Sequence, residues 1–587
     1  MKFGRMIWGI VVTTAIVVVI FLRFWNLGNV PIGLNIDEAS YGWDAYSLLK
    51  SGHDQWGIPW PLHLKSFGDY KPAALSYTMI PFIKFLGLNT FSTRLPSALA
   101  GLGILVMLYL ILDLIRRHPL QNLFLTIVFA LSPWSYGISR LFYEPNIALL
   151  LFLIGWYFFY RSFQKGTWKF SLTSGIFLAL SGYFYVAFRP ICLGLLTLVS
   201  LPNLKPRQRE KWHVALIALI AFSAMSLPLG ISMLDPHILT RLKQEDYLRS
   251  FGHELIIVEN RNYCHRVGGG NDIVSGICYL IWNKPVLKLG NMWETYLASV
   301  SPNYLFQTSS QVDITPKGYG AYVSGLAIFY FLGLYAVIRT LFRKNQNHLL
   351  PLFLLATYLI AQIPGVLVEQ PLIHRNLVGI FFAYLISAYG WHFLASHQLK
   401  SNIRSFRAPF QLILGAFLLF QSLQFLGYYH AVFTKSLPDM WNYDSKIVMN
   451  YVKAHEASYD KVFFTGFEDA PLYYAFFTSP DPLLDSSEVE FRPPDQQGWI
   501  HYARFGKVYQ YNRSLDRYLC EDLQPAERVL FVSSPNTGFS RYAEFSTKDF
   551  SGDHLLHEIY NIPYLLERLN QEGWNQTEFC AKQNPKS

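Results

Sequence analysis

Two adjacent acids, Asp37 and Glu38, lie in the stretch GLNIDEASYGWDAYSLL (33–49), directly after the first apolar segment of the chain. Their neighbours are apolar residues, tyrosine and tryptophan, whereas solvated loops are usually poor in large apolar side chains. Carboxylates beside a bilayer are costly to desolvate, so a pair of them in these surroundings indicates chemistry. An acid of this kind can act as a general base that accepts a proton from a hydroxyl group.

Other acids and bases also stand at the ends of apolar segments, in three further stretches. They are Asp69, Tyr70 and Lys71 in 56–82, Arg140 and Glu144 in 135–146, and Glu369, His374 and Arg375 in 366–376. Cations can stabilise the charge that grows on a phosphate leaving group while an acid accepts a proton. Together, these residue types indicate group transfer from a phosphate-linked donor.

Each of these groups also has a structural interpretation. Asn35 and the acids after it are typical of a helix N-cap ahead of a helical pattern. An arginine or lysine at a span end, such as Arg94 or Lys84, is usually a snorkelling anchor. Glu369 fits a cap of the adjacent turn, and a lone histidine such as His374 is more often structural. The functional interpretation is favoured because acids and bases from distant loops are predicted to gather at one membrane face.

The composition predicts a membrane protein. Of the 587 residues, 52% are hydrophobic and only 15% are charged, whereas about a quarter of a soluble domain is charged. Apolar runs near 20 residues are long enough to cross a bilayer as helices. Eleven segments are predicted to span it: 7–23, 94–115, 119–136, 145–162, 169–186, 188–202, 212–231, 320–341, 349–366, 377–396 and 409–428. The amphipathic segment 72–88 is predicted to be an interfacial helix.

Five short basic loops orient this arrangement: RRH (116–118), RSFQKGTWK (161–169), KPRQREK (205–211), FRKNQNH (342–348) and KSNIRSFR (400–407). With eleven spans, all five fall on the side of Lys2 and Arg5. Basic loops are enriched on the cytoplasmic side, so the N-terminus is predicted to be cytoplasmic and the C-terminus extracytoplasmic, in a multi-pass inner or plasma membrane protein. The predicted outer loops are 24–93, 136–144, 232–319 and 367–376.

The chain is predicted to form a transmembrane catalytic domain (1–429) and an extracytoplasmic α/β domain (430–587). In the tail, YDKVFFTG (459–466) and ERVLFVSS (527–534) are typical of buried strands, and SKIVMNYVKAH (445–455) and PLYYAFF (471–477) of helices. No glycine-rich phosphate loop follows either strand. From residue 430 the net charge is −7 in a chain of net charge +10. The basic excess therefore belongs to the inner membrane face and not to a nucleic-acid partner.

The five cysteines agree with this topology. Cys192 lies in a predicted span, where a small buried residue is ordinary. Cys264 and Cys278 share one outer loop, and Cys520 and Cys580 share the tail. Two disulfides in an oxidising compartment and four free thiols are both compatible with this spacing. No spacing is typical of a metal cluster.

The order of several short motifs resembles glycosyltransferase family 39-type proteins, which include protein O-mannosyltransferases and lipid A aminoarabinose transferases. The motifs are the DE pair, GDYKPAALSY (68–77), FSTRLPSALAG (91–101), ISRLFYEPNIALLLF (138–152), SPNYLF (301–306) and IHRNLVG (373–379). The resemblance is good over 1–160 and weaker afterwards. It implies a GT-C fold, a polytopic helical membrane protein with active-site loops on the extracytoplasmic side.

The resemblance also implies roles for individual residues. Asp37 matches the family's proposed catalytic base, with Glu38 beside it, and Lys71 matches a lysine that contacts the donor phosphate. Glu144 takes the place of a second-loop acid that is commonly aspartate. By position alone, the further expected site residues are Arg140, Arg375 and His374 at the donor phosphate, and Asp69 and Tyr70 nearby.

These observations predict a membrane glycosyltransferase that moves a sugar from a polyprenyl-phosphate donor to an acceptor hydroxyl, with inversion. The acceptor is a protein, a lipid or a glycan. Lysine and arginine can supply the phosphate cradle, so no metal or other cofactor is expected. The alternative is a polytopic transporter or flippase of lipid-linked sugars, which would favour charged or broken helices near the bilayer midplane.

Overall fold

The computed structural model of the protein describes most of the chain. The described residues are 2–198, 212–236, 238, 251–269, 271–308, 314–343, 348–368, 372–395, 404–435, 442–482, 489–494, 500–524, 526–535, 538–549 and 552–583. The chain divides into two compact units. The helical unit comprises Met1–Trp25 and Pro96–His430, and the sheet unit comprises Asn26–Leu95 and Ala431–Ser587.

The described helices and strands alternate along the chain as follows. The helices are α1 (Lys2–Phe24), α2 (Ile36–Ser51), α3 (Ala74–Leu86), α4 (Thr90–Ile115), α5 (Pro119–Ala130), α6 (Pro133–Ile138), α7 (Glu144–Lys165), α8 (Trp168–Phe184), α9 (Phe188–Leu198), α10 (Trp212–Ser232), α11 (Phe251–Val267), α12 (Asp272–Ile281), α13 (Lys284–Ser299), α14 (Pro302–Phe306), α15 (Leu326–Phe342), α16 (Leu349–Ile360), α17 (Ile363–Leu367), α18 (Leu377–Ala395), α19 (Arg404–Ala431), α20 (Ser445–His455), α21 (Ala470–Thr478), α22 (Leu515–Arg517), α23 (Ile562–Gln571) and α24 (Gln576–Gln583). The strands are β1 (His63–Lys65), β2 (Tyr70–Pro72), β3 (Lys461–Phe464), β4 (Val489–Phe491), β5 (Tyr502–Phe505), β6 (Val508–Gln510), β7 (Val529–Ser533), β8 (Phe545–Lys548) and β9 (Leu555–Asn561).

Six helices of the described residues are long and apolar enough to cross a membrane. They are Thr90–Ile115, Glu144–Lys165, Trp212–Ser232, Leu349–Leu367, Leu377–Ala395 and Pro409–Lys435. This confirms an integral membrane protein, but the predicted count of eleven spans is not confirmed. Several predicted spans are shorter helices, and prolines explain two interruptions: Pro133 begins α6 and Pro364 lies in the first turn of α17. The predicted helix at 72–88 is α3, and its interfacial position stays a prediction.

Small residues bring two helices of the helical unit into close contact. A Cβ atom on Gly333 of α15 would lie 1.8 Å from the carbonyl oxygen of Ile386 in α18. Conversely, a Cβ atom on Gly390 of α18 would lie 2.0 Å from the carbonyl oxygen of Phe329 in α15. Glycine at both positions is therefore required for this approach, as is common between apolar helices. This close contact with α15 holds α18 in place, and the predicted site residues His374 and Arg375 lie just before the first turn of α18.

The sheet unit contains a seven-stranded sheet with the order β4-β5-β6-β3-β7-β9-β8. Strand β3 pairs in parallel with β6 and with β7, and the other pairs are antiparallel. All five residues of β7 are buried, as expected for an apolar strand in the middle of a sheet. The predicted strands at 459–466 and 527–534 are β3 and β7, and the predicted helices at 445–455 and 471–477 are α20 and α21.

The first predicted outer loop packs on the C-terminal sheet within the same unit. The indole of Trp56 stacks on Phe491 with ring centroids 3.9 Å apart. The hydroxyl of Tyr502 donates to Oε1 of Gln55 at 2.6 Å. The contacts therefore group the residues 26–95 with the segment after 430, far away in the sequence. The predicted domain boundary at 429/430 stays a prediction.

Candidate functional site

The helix that carries the acidic pair begins with a capping asparagine. Asn35 is the N-cap of α2, and its side-chain oxygen accepts the backbone N–H of Asp37 at 2.9 Å. Asp37 and Glu38 lie in the first turn, where the helix dipole favours negative charge. Asp37 is exposed and Glu38 is buried. The cap is therefore the asparagine, and the carboxylate of Asp37 is not needed for that task.

Glu38 is held by an arginine. Its carboxylate accepts Nε of Arg94 at 2.7 Å and Nη2 at 3.0 Å, and both side chains are 0% exposed. Arg94 also donates to the carbonyl oxygens of Leu27, Pro31 and Gly33. The interpretation of Arg94 as a snorkelling anchor is therefore wrong, because the guanidinium is buried and paired. The pair therefore connects the first turn of α2 to α4. Through its carbonyl contacts, Arg94 also holds the segment 27–33, which precedes α2.

One face of α2 combines two acids, a hydroxyl and an aromatic ring. Asp37, Ser40, Tyr41 and Asp44 are spaced i, i+3, i+4 and i+7, so they share this face. The ammonium of Lys71 packs on its middle, donating to Oγ of Ser40 at 2.8 Å and lying 3.9 Å from the centroid of the Tyr41 ring. The predicted base Asp37 and the two residues that contact the predicted phosphate-binding Lys71 thus lie on the same face of α2.

The second acid of this face, Asp44, is fully buried in a polar network. Its carboxylate accepts the backbone N–H of Gln55 at 3.1 Å and the side-chain amide at 2.9 Å. Burial raises the pKa of Asp44 to about 7, while Lys71 lowers it and Asp54 raises it. Sequence reasoning missed Asp44, although its position seven residues after Asp37 was a usable signal.

The predicted residues Asp69 and Tyr70 belong to the hairpin that holds Lys71. Strands β1 and β2 pair with Leu64 opposite Lys71. Asp69 is buried in the turn between the strands, and its carbonyl oxygen accepts the N–H of Ser66 at 2.9 Å. The hairpin therefore positions the lysine, with Asp69 and Tyr70 as its immediate neighbours along the chain.

The remaining predicted site residues lie in the helical unit, and Arg140 is the most buried of them. Its guanidinium donates to the carbonyl oxygens of Leu22 at 2.8 Å, Arg23 at 3.2 Å and Trp25 at 2.8 Å. These carbonyls lie at the C-terminal end of α1, where a cation is favourable. The contacts give Arg140 a structural role, and its role at a donor phosphate stays a prediction.

Two other predicted loops of the helical unit meet through aromatic rings. Glu144 is the first residue of α7 and is half-buried. The ring of the preceding residue, Tyr143, stacks on His374 with centroids 6.3 Å apart and an interplanar angle of 10°. Tyr185 contacts the same imidazole edge-on at 6.1 Å. The structure thus brings the segment of Glu144 next to that of His374 and Arg375.

Four of the five cysteines form disulfides. Disulfides join Cys264 to Cys278 and Cys520 to Cys580, and Cys192 is free and buried. No group of three or more metal-ligating histidines, cysteines or acids occurs among the described residues. The expectation of a metal-independent site stays a prediction, and Glu369 lies outside the described residues.

Comparison with solved structures finds several similar chains, among them two crystal structures of ArnT. No protein-family model and no curated protein matches the chain. The crystal structure of ArnT from Cupriavidus metallidurans in the apo state matches at 11% identity and a TM-score of 0.41, over 96% of this chain and 99% of that chain. The crystal structure of ArnT from the same organism bound to undecaprenyl phosphate matches at 12% identity and a TM-score of 0.48, over 93% of this chain and 97% of that chain. At these identities and TM-scores, neither similarity assigns a family or an activity to this chain.

Proposed function

We propose that the protein is an integral membrane glycosyltransferase that moves a sugar from a polyprenyl-phosphate donor to an acceptor hydroxyl on the extracytoplasmic face. The observation that carries the proposal is one face of α2. On this face the exposed Asp37 precedes Ser40 and Tyr41, the two residues that the ammonium of Lys71 contacts. A base next to a phosphate-binding cation is what such a transfer requires.

In the proposed reaction, Asp37 accepts the proton of the acceptor hydroxyl as the acceptor oxygen attacks the anomeric carbon. The bond from that carbon to the phosphate oxygen breaks, and the charge of the leaving phosphate grows. Lys71 stabilises this charge with a charge-assisted hydrogen bond. A single displacement of this kind inverts the anomeric centre, through charge development like that of glycoside hydrolysis.

Glu38 supports the reaction from a buried position. Both of its carboxylate oxygens accept hydrogen bonds from Arg94, so we assign it the task of holding the first turn of α2. This keeps Asp37 in place without direct contact with the substrate. Asp69 and Tyr70 support the hairpin of Lys71 in the same way.

In the helical unit, Arg140, His374 and Arg375 are proposed donor-phosphate residues, and Glu144 is a proposed catalytic acid. The ring contact between Tyr143 and His374 supports a common task for their two segments. The acceptor is a protein, a lipid or a glycan. The cationic side chains can supply the phosphate stabilisation, so the proposal needs no metal.

The test of the proposal is the variant Asp37→Asn, purified in lipid nanodiscs and assayed with a radiolabelled polyprenyl-phosphate sugar. The amide keeps the size of the side chain but cannot accept the proton. We expect transfer to fall about 10²–10⁴-fold, with donor binding retained. Transfer within a factor of about three of the unmodified protein, well below that range, would reject Asp37 as the base.

A matched control exists in α12. Asp272 is also an exposed first-turn acid that follows an asparagine N-cap, Asn271. Asp272→Asn therefore removes the same helix-dipole interaction without touching the proposed base, and we expect unchanged transfer. If both variants lose activity equally, helix stability and not base catalysis explains the loss. If purified protein moves the lipid-linked sugar across a bilayer without transferring it, the flippase alternative replaces the proposal.

A further inference from the structure

A polar cavity lies in the sheet unit, at the carboxyl ends of two neighbouring parallel strands. Strands β3 and β7 run side by side, and the chain leaves them at Gly466 and Ser534. After β3 the chain continues to β4, β5 and β6 on one side of β3, whereas after β7 it continues to β8 and β9 on the other side. Open α/β sheets bind ligands at such a switch point. The cavity there has a volume of about 340 Å³.

Glycine allows the two strand ends to approach each other. Gly466 has a φ of +73°, and a Cβ atom at this position would lie 1.8 Å from Oγ of Ser534. Any other residue would displace the serine or strain the backbone. The hydroxyl of Ser534 is therefore placed at the lining of the cavity by the local backbone.

The main polar group of the cavity is a buried carboxylate. Asp444 is the N-cap residue of α20, yet its side chain makes no capping hydrogen bond. Instead Oδ2 accepts hydrogen bonds from Nδ1 of His557 at 2.6 Å and from the hydroxyl of Thr547. Asp444 is only 2% exposed. The hydrogen bonds that described side chains donate to this carboxylate go to Oδ2.

The histidine is a second polar group of the lining. Its Nδ1 is directed at the carboxylate of Asp444, and the residue lines the cavity. The ring of Phe467 lies against the imidazole with centroids 5.0 Å apart. The rest of the lining consists of the polar Asn442 and the apolar Pro535, Leu555 and Leu556.

These features select one class of ligand. A carboxylate, an imidazole and a serine hydroxyl match the hydroxyl groups of a sugar, and the apolar part of the lining matches its C–H faces. The volume lies at the lower end of small-molecule pockets, about 300–1,000 Å³, which suits a single ring. The buried carboxylate disfavours phosphates and sugar acids, because like charges repel strongly in a dry pocket.

We propose that this cavity binds one neutral sugar unit of a glycan, as a binding site separate from the proposed transferase chemistry. The inference stands on the cavity alone and does not need Asp37 or Lys71. It gives the sheet unit a recognition function for carbohydrate outside the reacting groups.

The experiment uses the full chain in phosphatidylcholine nanodiscs, which avoids sugar-based detergents. Saturation-transfer NMR is recorded with the methyl glycosides of glucose, galactose and mannose, and with glucuronate and inorganic phosphate as charged probes. We expect at least one neutral glycoside to bind and both anions to fail. Equal or stronger binding of the anions, or no binding of any neutral glycoside, would overturn the inference.

Variants locate the binding. Asp444→Asn removes the charged acceptor, and we expect roughly 10- to 100-fold weaker binding, the range of a lost charge-assisted hydrogen bond. The control is Asp460→Asn, an exposed acid at the amino end of β3 that pairs with Arg528. It should bind as the unmodified protein does. Ser534→Ala serves if Asp444→Asn does not fold, and should also weaken binding. Unchanged binding in the folded cavity variants would place the sugar elsewhere and overturn the inference.

Discussion

The buried pair of Glu38 and Arg94 allows a quantitative prediction about stability. Both side chains are 0% exposed, and they share two hydrogen bonds of 2.7 and 3.0 Å. Arg94→Met removes the cation while keeping an apolar side chain of similar length. The carboxylate of Glu38 then keeps a hydrogen bond from the hydroxyl of Thr93 at 3.4 Å. We expect a loss of about 3–5 kcal/mol in the free energy of unfolding, the cost of an uncompensated buried charge.

The reverse variant should cost less. Glu38→Gln leaves the Arg94 guanidinium with the carbonyl oxygens of Leu27, Pro31 and Gly33. Three acceptors compensate part of the charge, so we expect a loss of about 1–3 kcal/mol. The double variant removes both charges and should therefore be more stable than Arg94→Met alone, since a neutral amide replaces the stranded carboxylate.

The assay is thermal unfolding of the full chain in nanodiscs, followed by intrinsic tryptophan fluorescence at one scan rate. For a unit of 150–250 residues, 1 kcal/mol shifts Tm by about 2–4 °C, so Arg94→Met should lower it by roughly 6–20 °C. A fixed scan rate is needed because unfolding of large proteins is often irreversible. The matched control is Arg117→Met, which removes an 87% exposed partner of Asp113. Its cost should stay below about 1 kcal/mol, or about 4 °C.

Two results would refute this reasoning. If Arg94→Met shifts Tm no more than Arg117→Met does, the pair is not the anchor of α2. If the double variant is as unstable as the sum of the two single variants, the charges do not act as a pair. Either result would also remove the explanation for how Asp37 is held in place.

Three further predictions follow from the same face of α2 and from the sheet unit. Lys71→Ala should lower kcat/KM for the polyprenyl-phosphate donor by roughly 10- to 100-fold, because a charge-assisted contact to the phosphate is lost; unchanged kinetics would remove Lys71 from the donor site. Burial raises the pKa of Asp44 from 3.8 to about 7, so the folded chain binds more protons than the unfolded chain between these values. The stability contributed by the neutral acid is therefore complete below about pH 4 and is lost as the pH rises through 7. Tm measured from pH 4 to 8 should fall less steeply in Asp44→Asn than in the unmodified protein, and equal slopes would contradict this. Glu567→Cys, on an exposed position of α23, should react with a membrane-impermeant maleimide in intact cells if the tail is extracytoplasmic, whereas labelling only after lysis would place it inside; Ser533 is unsuitable because it is buried in β7.

The sequence by itself determined the local structure of this protein. Apolar runs near 20 residues must form helices in a bilayer, because unpaired backbone groups are too costly there. Compact apolar segments flanked by turn residues became β3 and β7. An asparagine ahead of acids marked the start of α2, although the sequence did not separate the capping residue from the acids behind it. These features depend on interactions between residues that are close together in the sequence, so the sequence alone predicts them.

The tertiary structure decided which side chains meet and what each of them does. Glu38 and Arg94 are 56 residues apart, and Gln55 and Tyr502 are 447 apart. No local pattern shows that the first acid of the DE pair is exposed while the second is buried against a guanidinium. No local pattern shows either that the guanidinium of Arg140 donates hydrogen bonds to the carbonyl oxygens at the end of α1. The physical reason is that burial and pairing of a charge depend on the packed environment, and that environment is assembled from segments distant in the chain.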